Sequence, residues 1–344
     1  MEHLKDRTDQ ILFACLLLSC LLYGYFNWTS STGSSSFSLL PSSPLSSKAP
    51  PSSLAGPVRD ELEAALEAAS DTNRTLIIAI VNGAYVQGDK PMLDLFMDGF
   101  WHGEGIRSLV DRLLLVAMDQ VSYDRCMFLR LHCYKLPTDG DVVGEKVYMS
   151  EGFIEMMWRR TLFLGDVLRR GYSFIFTDTD VIWLRDPFPR LIMSKDVDLQ
   201  ISVDGFNGNE TSEGNPINTG FYMIRSSNRT IALFDEWYGR RNVSVGMKEQ
   251  DVLAVMIREG VLRKLEVRTR FLDTVFFSGF CQDSRDVREV CTVHANCCRT
   301  IEAKLVDLTQ VIHDWERFKG STNDTQPPQP FVWMPHSACQ NSWN

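Results

Sequence analysis

Asp178-Thr179-Asp180 sets two carboxylates one residue apart at the end of an apolar run, Phe174, Ile175 and Phe176. That run reads as a buried strand. In an extended chain, residues two apart point to the same side, so both carboxylates would project together from the strand end. Open α/β sheets bind their ligands there. Two unpaired carboxylates at the rim of a core are costly, so a cation between them is expected. Hard oxygen ligands suit Mg²⁺ or Mn²⁺, which are commonly held by one or two carboxylates plus substrate phosphates. Asp-x-Asp alone is a weak signal. The strand before it and the Trp183 to Pro187 segment after it strengthen it. The plain alternative is a loop with two solvated aspartates.

The surrounding elements read as an α/β domain. Residues 58–70 form a short helix with Leu62 and Leu66 on one side. Leu76 to Val81 is a strand followed by Asn82-Gly83, and Leu113 to Met118 is a strand ending at Asp119. With the helical stretch between them they make a strand-helix-strand unit, the nucleotide half of many α/β folds. Asn82 and Asp119 are therefore donor-binding candidates. Asp119 suits either a base or ribose, or the N-cap of a following helix. Residues 150–170 form a helix with Met157, Thr161, Leu164 and Leu168 at helical spacing, closed by Arg169-Arg170-Gly171. Arg159 and Arg160 read either as facing the site or, by preference, as a solvated helix face. Leu199 to Val203 is a strand ending in Asp204-Gly205. Ile217 to Ile224 is another, with Asn218, Thr219 and Gly220 at its entry, which suit either sugar hydroxyls or turn chemistry. Residues 232–238 read as helix, and Glu249-Gln250-Asp251 opens a further helix whose dipole an acidic residue can cap. There is no Gly-x-Gly-x-x-Gly and no Walker lysine motif, which speaks against dinucleotide and ATPase chemistry.

With 344 residues the chain is long enough for one large domain, and its net charge of -9 without a basic block speaks against nucleic acid. An acidic protein still binds an anionic nucleotide where a metal supplies local positive charge. Residues 1–10 carry Lys5 and Arg7, and residues 11–26 are apolar and uncharged, with Trp28 extending the candidate span to 11–28. No further Lys or Arg follows until Lys48. This predicts a cytosolic tail, a short uncleaved signal-anchor and a luminal remainder. A cleaved signal peptide is the competing reading, although no small-x-small site directly follows the apolar run. Residues 29–57 are rich in Ser and Pro and read as a stem leading to a domain at 58–344. Asn-x-Ser/Thr acceptors stand at Asn27, Asn73, Asn209, Asn228, Asn242 and Asn323. Of nine cysteines, Cys15 and Cys20 fall in the apolar segment, and the other seven are expected to form disulfides with at least one left over. Cys126 and Cys133 suit a local pair. The cluster of Cys291, His294, Cys297 and Cys298 superficially suits zinc, but disulfides fit this compartment better.

Four segments in order carry a family resemblance. They are Phe-Thr-Asp-Thr-Asp-Val-Ile-Trp-Leu-Arg-Asp-Pro (176–187), Ile-Asn-Thr-Gly-Phe-Tyr (217–222), Glu-Gln-Asp (249–251), and Val-His-Ala-Asn-Cys-Cys (293–298) with Lys304. Across residues 73–318 the chain resembles the plant nucleotide-diphospho-sugar transferases of glycosyltransferase family 77. The resemblance implies a GT-A-like, Rossmann-type mixed sheet flanked by helices, a single-pass type II Golgi membrane enzyme and a nucleotide-sugar donor. It also implies Mn²⁺, retention of anomeric configuration, and a cell-wall glycan or glycoprotein acceptor.

The chemistry expected of the residues agrees. Asp178 and Asp180 hold Mn²⁺ or Mg²⁺ against the donor diphosphate, where positive charge stabilises the leaving nucleotide. His294 is expected to fill a further ligand position, since Mn²⁺ accepts imidazole nitrogen more readily than Mg²⁺ does; the alternative is a structural histidine hydrogen-bonded inside its loop. Lys304 either adds a second positive group at the diphosphate or is a surface helix lysine. Asn218, Gln250 and Asp251 sit around the sugar. Two rivals stand beside this reading. One is a haloacid-dehalogenase-like phosphatase using Asp178, which would usually need a later acidic pair; no Gly-Asp or Asp-Asp follows Asp180. The other is a luminal glycan-binding protein without catalysis.

Overall fold

The computed structural model describes residues 60–137, 144–321 and 331–343. The expected tail, anchor and stem lie outside the described residues. Among the described residues no helix is long and apolar enough to cross a membrane.

In chain order the elements begin with α1 (Glu61–Ala69), β1 (Thr75–Val81), α2 (Met92–His102), β2 (Leu113–Ala117), α3 (Gln120–Phe128) and β3 (His132–Lys135). Then come α4 (Glu151–Arg169), β4 (Ser173–Thr177), β5 (Val181–Trp183), β6 (Leu199–Val203), β7 (Ile217–Ile224), α5 (Asn228–Gly239), α6 (Glu249–Arg258) and α7 (Val261–Lys264). The last are β8 (Thr269–Phe271), β9 (Phe277–Gly279), β10 (Thr292–His294), α8 (Ile301–Ser321) and α9 (Ser337–Asn341). Seven strands form one sheet in the order β3-β2-β1-β4-β7-β6-β8. β1 is parallel to β2 and β4, whereas β7 is antiparallel to both β4 and β6. The sheet is therefore mixed and flanked by helices, as expected.

Its two faces follow from strand alternation. Leu76 and Ile78 of β1 join a core with Leu66, Leu164, Phe234 and Leu253, which come from α1, α4, α5 and α6. Ile77, Ala79 and Val81 face the other way, against Phe96 and Phe100 of α2. Every residue of β7 is buried. Continuous burial of that kind belongs to a strand covered on both faces.

A second, three-stranded sheet runs β5-β10-β9. It packs under α8 and residues 331–333 through Ile182, Val293, Leu308, Trp315 and Trp333. β4 and β5 thus belong to different sheets, and Asp178-Thr179-Asp180 is the passage between them. The passage is a turn, with the Val181 amide donating to the Asp178 carbonyl at 3.3 Å. This corrects the sequence expectation of an extended segment. The carboxylates converge because the chain turns there, not because a strand alternates.

Three disulfides join Cys126 to Cys133, Cys281 to Cys297 and Cys298 to Cys339. The local pair is the expected one. Cys297 and Cys298 are consumed, which removes the zinc reading. Cys291 is the free cysteine among the described residues, and burial pushes its thiol up to about 11.

Candidate active site

Register explains how distant residues meet. In β10, His294 pairs with Val181, so the imidazole stands beside Asp180. The Ala295 amide donates to the Asp180 carbonyl at 3.0 Å and fixes that approach. In β7, Phe221 pairs with Thr177, and the Asp178 amide donates to the Gly220 carbonyl at 2.7 Å. One ligand atom each from Asp178, Asp180 and His294 lies within 4.8 Å of the others. Gly220 leaves them their room. A Cβ there would lie 2.3 Å from His294 Cε1 and 2.9 Å from Asp178 Oδ2.

Each carboxylate has its own cation. Lys304 Nζ, from the first turn of α8, donates to Asp180 Oδ2 at 2.7 Å. Arg160, from the middle of α4, donates from Nη1 to Asp178 Oδ1 at 2.7 Å. The titration of the two aspartates divides accordingly. Desolvation lifts the Asp178 carboxyl to about 6, helped by Asp180 and opposed by Arg160. Burial pushes Asp180 the same way, but Lys304 and His294 outweigh it and hold Asp180 below the usual carboxylate range. Burial lowers and the facing carboxylates raise Arg160 and Lys304, and both end above their ordinary values. Tyr85 lies near the same charges, and burial pushes its phenol up to about 12, so it stays a neutral donor.

Arg160 was read as part of a solvated face, and the structure overturns that. Its side chain is 8 % exposed, and Nη2 donates to Glu249 Oε1 at 2.5 Å. The helical stripe held the signal: Arg160 is three residues after Met157 and four before Leu164, both on the inward face. Arg159 does point outward, to Glu155. Glu249 was read as a dipole cap, yet it is 1 % exposed. It shares the inward stripe of α6 with Val252, Leu253 and Met256. Its Oε1 also accepts from Thr219 Oγ1 at 2.9 Å, while Oε2 has no hydrogen-bond partner.

The remaining expected residues separate into two groups. Asn82, Asn218, Thr219, Gly220, Gln250 and Lys304 line one cavity of about 260 Å³ with Asp178, Asp180 and His294. Gln250 Oε1 accepts from the Thr219 amide at 3.0 Å, which leaves Nε2 as the group it can offer a ligand. Asn218 has both ends engaged: Nδ2 donates to Asp204 and Oδ1 accepts from the Gly220 amide, each at 2.8 Å. Asp204, unassigned from sequence, also accepts from Asn296 Nδ2 at 2.8 Å, so it ties β6, β7 and the loop after β10 together. Asp119 and Asp251 are not on this cavity wall. Asp119 caps α3: Oδ1 accepts from the Ser122 amide at 2.8 Å and Oδ2 from the Gly83 amide at 2.6 Å. Both oxygens are engaged, which makes it the helix cap and holds the Asn82-Gly83 loop in place. Asp251 sits in the first turn of α6, where partial burial raises its carboxyl.

The nucleotide-diphospho-sugar transferase family model matches residues 108–308. The chain belongs to that family. It is 55 % identical over 291 residues to the Arabidopsis thaliana protein At1g28695, covering 83 % of this chain and 85 % of that one. Two more distant Arabidopsis thaliana relatives have activities in their names. Beta-arabinofuranosyltransferase RAY1 is 25 % identical over 193 residues, 55 % of this chain and 34 % of the relative. UDP-D-xylose:L-fucose alpha-1,3-D-xylosyltransferase 3 is 26 % identical over 197 residues, 56 % and 48 % respectively. The chain is thus a glycosyltransferase, which sets the phosphatase reading aside.

Proposed function

We propose that this transferase moves a sugar from a nucleoside-diphosphate donor, a UDP-pentose or UDP-galactose, to a cell-wall glycan or glycoprotein acceptor. The reading includes Mn²⁺ (or Mg²⁺) dependence and retention of anomeric configuration. The observation that carries it is the convergence of Asp178, Asp180 and His294 beside Gly220, on the wall of a cavity that also holds Lys304 and Gln250. Two carboxylates and an imidazole suit Mn²⁺. When bound, the ion supplies Lewis-acid stabilisation of the departing diphosphate. Lys304 offers a second positive charge once it turns from Asp180 to a phosphate. The Gln250 side-chain Nε2 offers the donor sugar a hydrogen-bond donor. Arg160 holds Asp178 ionised and oriented.

His294→Ala should raise the Mn²⁺ concentration needed for half-maximal nucleotide release by about tenfold or more, because one ligand is lost. Unchanged Mn²⁺ dependence with a lower Tm would make His294 a structural residue and remove it from the ion's ligands.

The setting we propose is the Golgi lumen, with residues 11–28 as a type II anchor and 29–57 as a stem. Three disulfides support an oxidising compartment. The sequon asparagines Asn73, Asn209, Asn228 and Asn242 are all exposed, as glycosylation requires.

A further inference from the structure

Residues 331–343 are fastened to the domain by buried polar bonds. Asp314 of α8, 1 % exposed, accepts from the Met334 amide at 2.8 Å. Asp307, one helical turn and more before it, accepts from the Cys339 amide at 2.7 Å. His336 stacks on Phe280 with ring centroids 3.7 Å apart, and its Nε2 lies 2.9 Å from Asp283 Oδ1. The Cys298–Cys339 disulfide ties the segment to the loop four residues beyond His294. Both buried carboxylates are compensated by these amides, and Asp314 also by Arg317 Nη2 at 3.0 Å, so the segment is firmly held.

What the segment delivers is Trp343. Its Nε1 donates to the Cys297 carbonyl at 2.7 Å, which fixes the ring's orientation. The Arg299 guanidinium carbon lies 4.1 Å from the ring centroid and covers one face. The ring nevertheless keeps 46 % exposure, and it lines the same cavity as Asp178, Asp180 and His294. Tyr148, also partly exposed, lines that cavity too. A partly exposed aromatic ring on the wall of a charged cavity does not match a diphosphate. It matches a sugar ring, whose C–H face packs on an aromatic face while its hydroxyls take polar partners at the rim.

We propose that Trp343 is the stacking platform for the acceptor sugar, on the ring face that Arg299 leaves uncovered. The proposal rests on the transferase reading and adds the acceptor side of the same site. Loss of the platform should weaken acceptor binding and leave the donor's contacts, on Lys304 and Gln250, in place.

The test uses the full chain, the UDP-sugar it turns over best, and a plant cell-wall glycan extract as acceptor. Trp343→Ala should raise the acceptor KM roughly tenfold, the scale of one well-packed aromatic contact, with the donor KM moved less than about twofold. Trp343→Phe should recover most of the loss because it keeps a ring. A ring that only supports the fold would instead lower Tm and kcat and leave the acceptor KM where it was. Turnover by the wild type with an unchanged acceptor KM in Trp343→Ala overturns the platform alone. A wild type that releases nucleotide from no UDP-sugar overturns the transferase reading and the platform together.

Discussion

Replacing Arg160 by Met removes the cation between Asp178 and Glu249 and should be among the most damaging single changes near the site. The Arg160 and Glu249 side chains are 8 % and 2 % exposed, so neither charge can be rehydrated in place. Removing one partner of such a pair typically costs about 3–5 kcal/mol, most of it the penalty of the buried charge left behind. Asp178 is about a third exposed and can recover water, which places the expectation toward the lower end, at about 3–4 kcal/mol. At about 2–4 °C per kcal/mol for a domain of this size, Tm should fall by roughly 6–16 °C. Glu249→Gln in the same chain removes the orphaned charge and should restore about 1–2 kcal/mol. Thermal and urea melts of the wild type, both single variants and the double variant measure this directly. Two results would refute the reasoning: Arg160→Met within about 1 kcal/mol of wild type, or costs that simply add in the double variant.

Asp198 should give a stability term that depends on pH. Burial raises its carboxyl, but bonds from Arg229 and from the Arg268 amide and guanidinium outweigh this and hold it below the usual range. A depressed carboxyl stabilises the fold above its unfolded value and loses that contribution as pH falls through the folded value. Asp198→Asn should therefore cost about 1–2 kcal/mol at pH 7, discounted because both guanidiniums are partly exposed, and the gap should close below about pH 4. A gap independent of pH would show that the charge is not what matters. For topology, an N-terminal tag should remain with carbonate-washed membranes and glycosidase should shift the band; a mature chain lacking the tag would indicate a cleaved signal peptide instead.

The site was legible in sequence where short motifs carry their own chemistry. Asp178-Thr179-Asp180, Asn218-Thr219-Gly220 and Gln250 each lie beside a strand or helix whose pattern is strong. His294 and Lys304 came with the resemblance, and both meet Asp180 in the structure. What escaped were charges on inward stripes. Arg160 and Glu249 look like solvated residues until they are counted on the faces of α4 and α6, where they pair with each other and with Asp178 and Thr219. The small sheet escaped for a different reason. Its strands are three residues long, too short for any periodicity, and the β5–β10 pairing joins residues more than a hundred positions apart. Asp119 shows the other possibility: its carboxylate at a strand end caps the next helix and holds the Gly83 amide.

The most direct test of the central claim is nucleotide release by the purified full chain from a panel of UDP-sugars, with Mn²⁺ and with EDTA. At least one donor should turn over with Mn²⁺ and stop with EDTA, and Asp178→Asn or Asp180→Asn should lower that rate by ~10² to 10³, the usual worth of one electrostatic partner in a dry site. Turnover that survives EDTA, or an Asp180→Asn variant as fast as wild type, would contradict a cation held by these carboxylates.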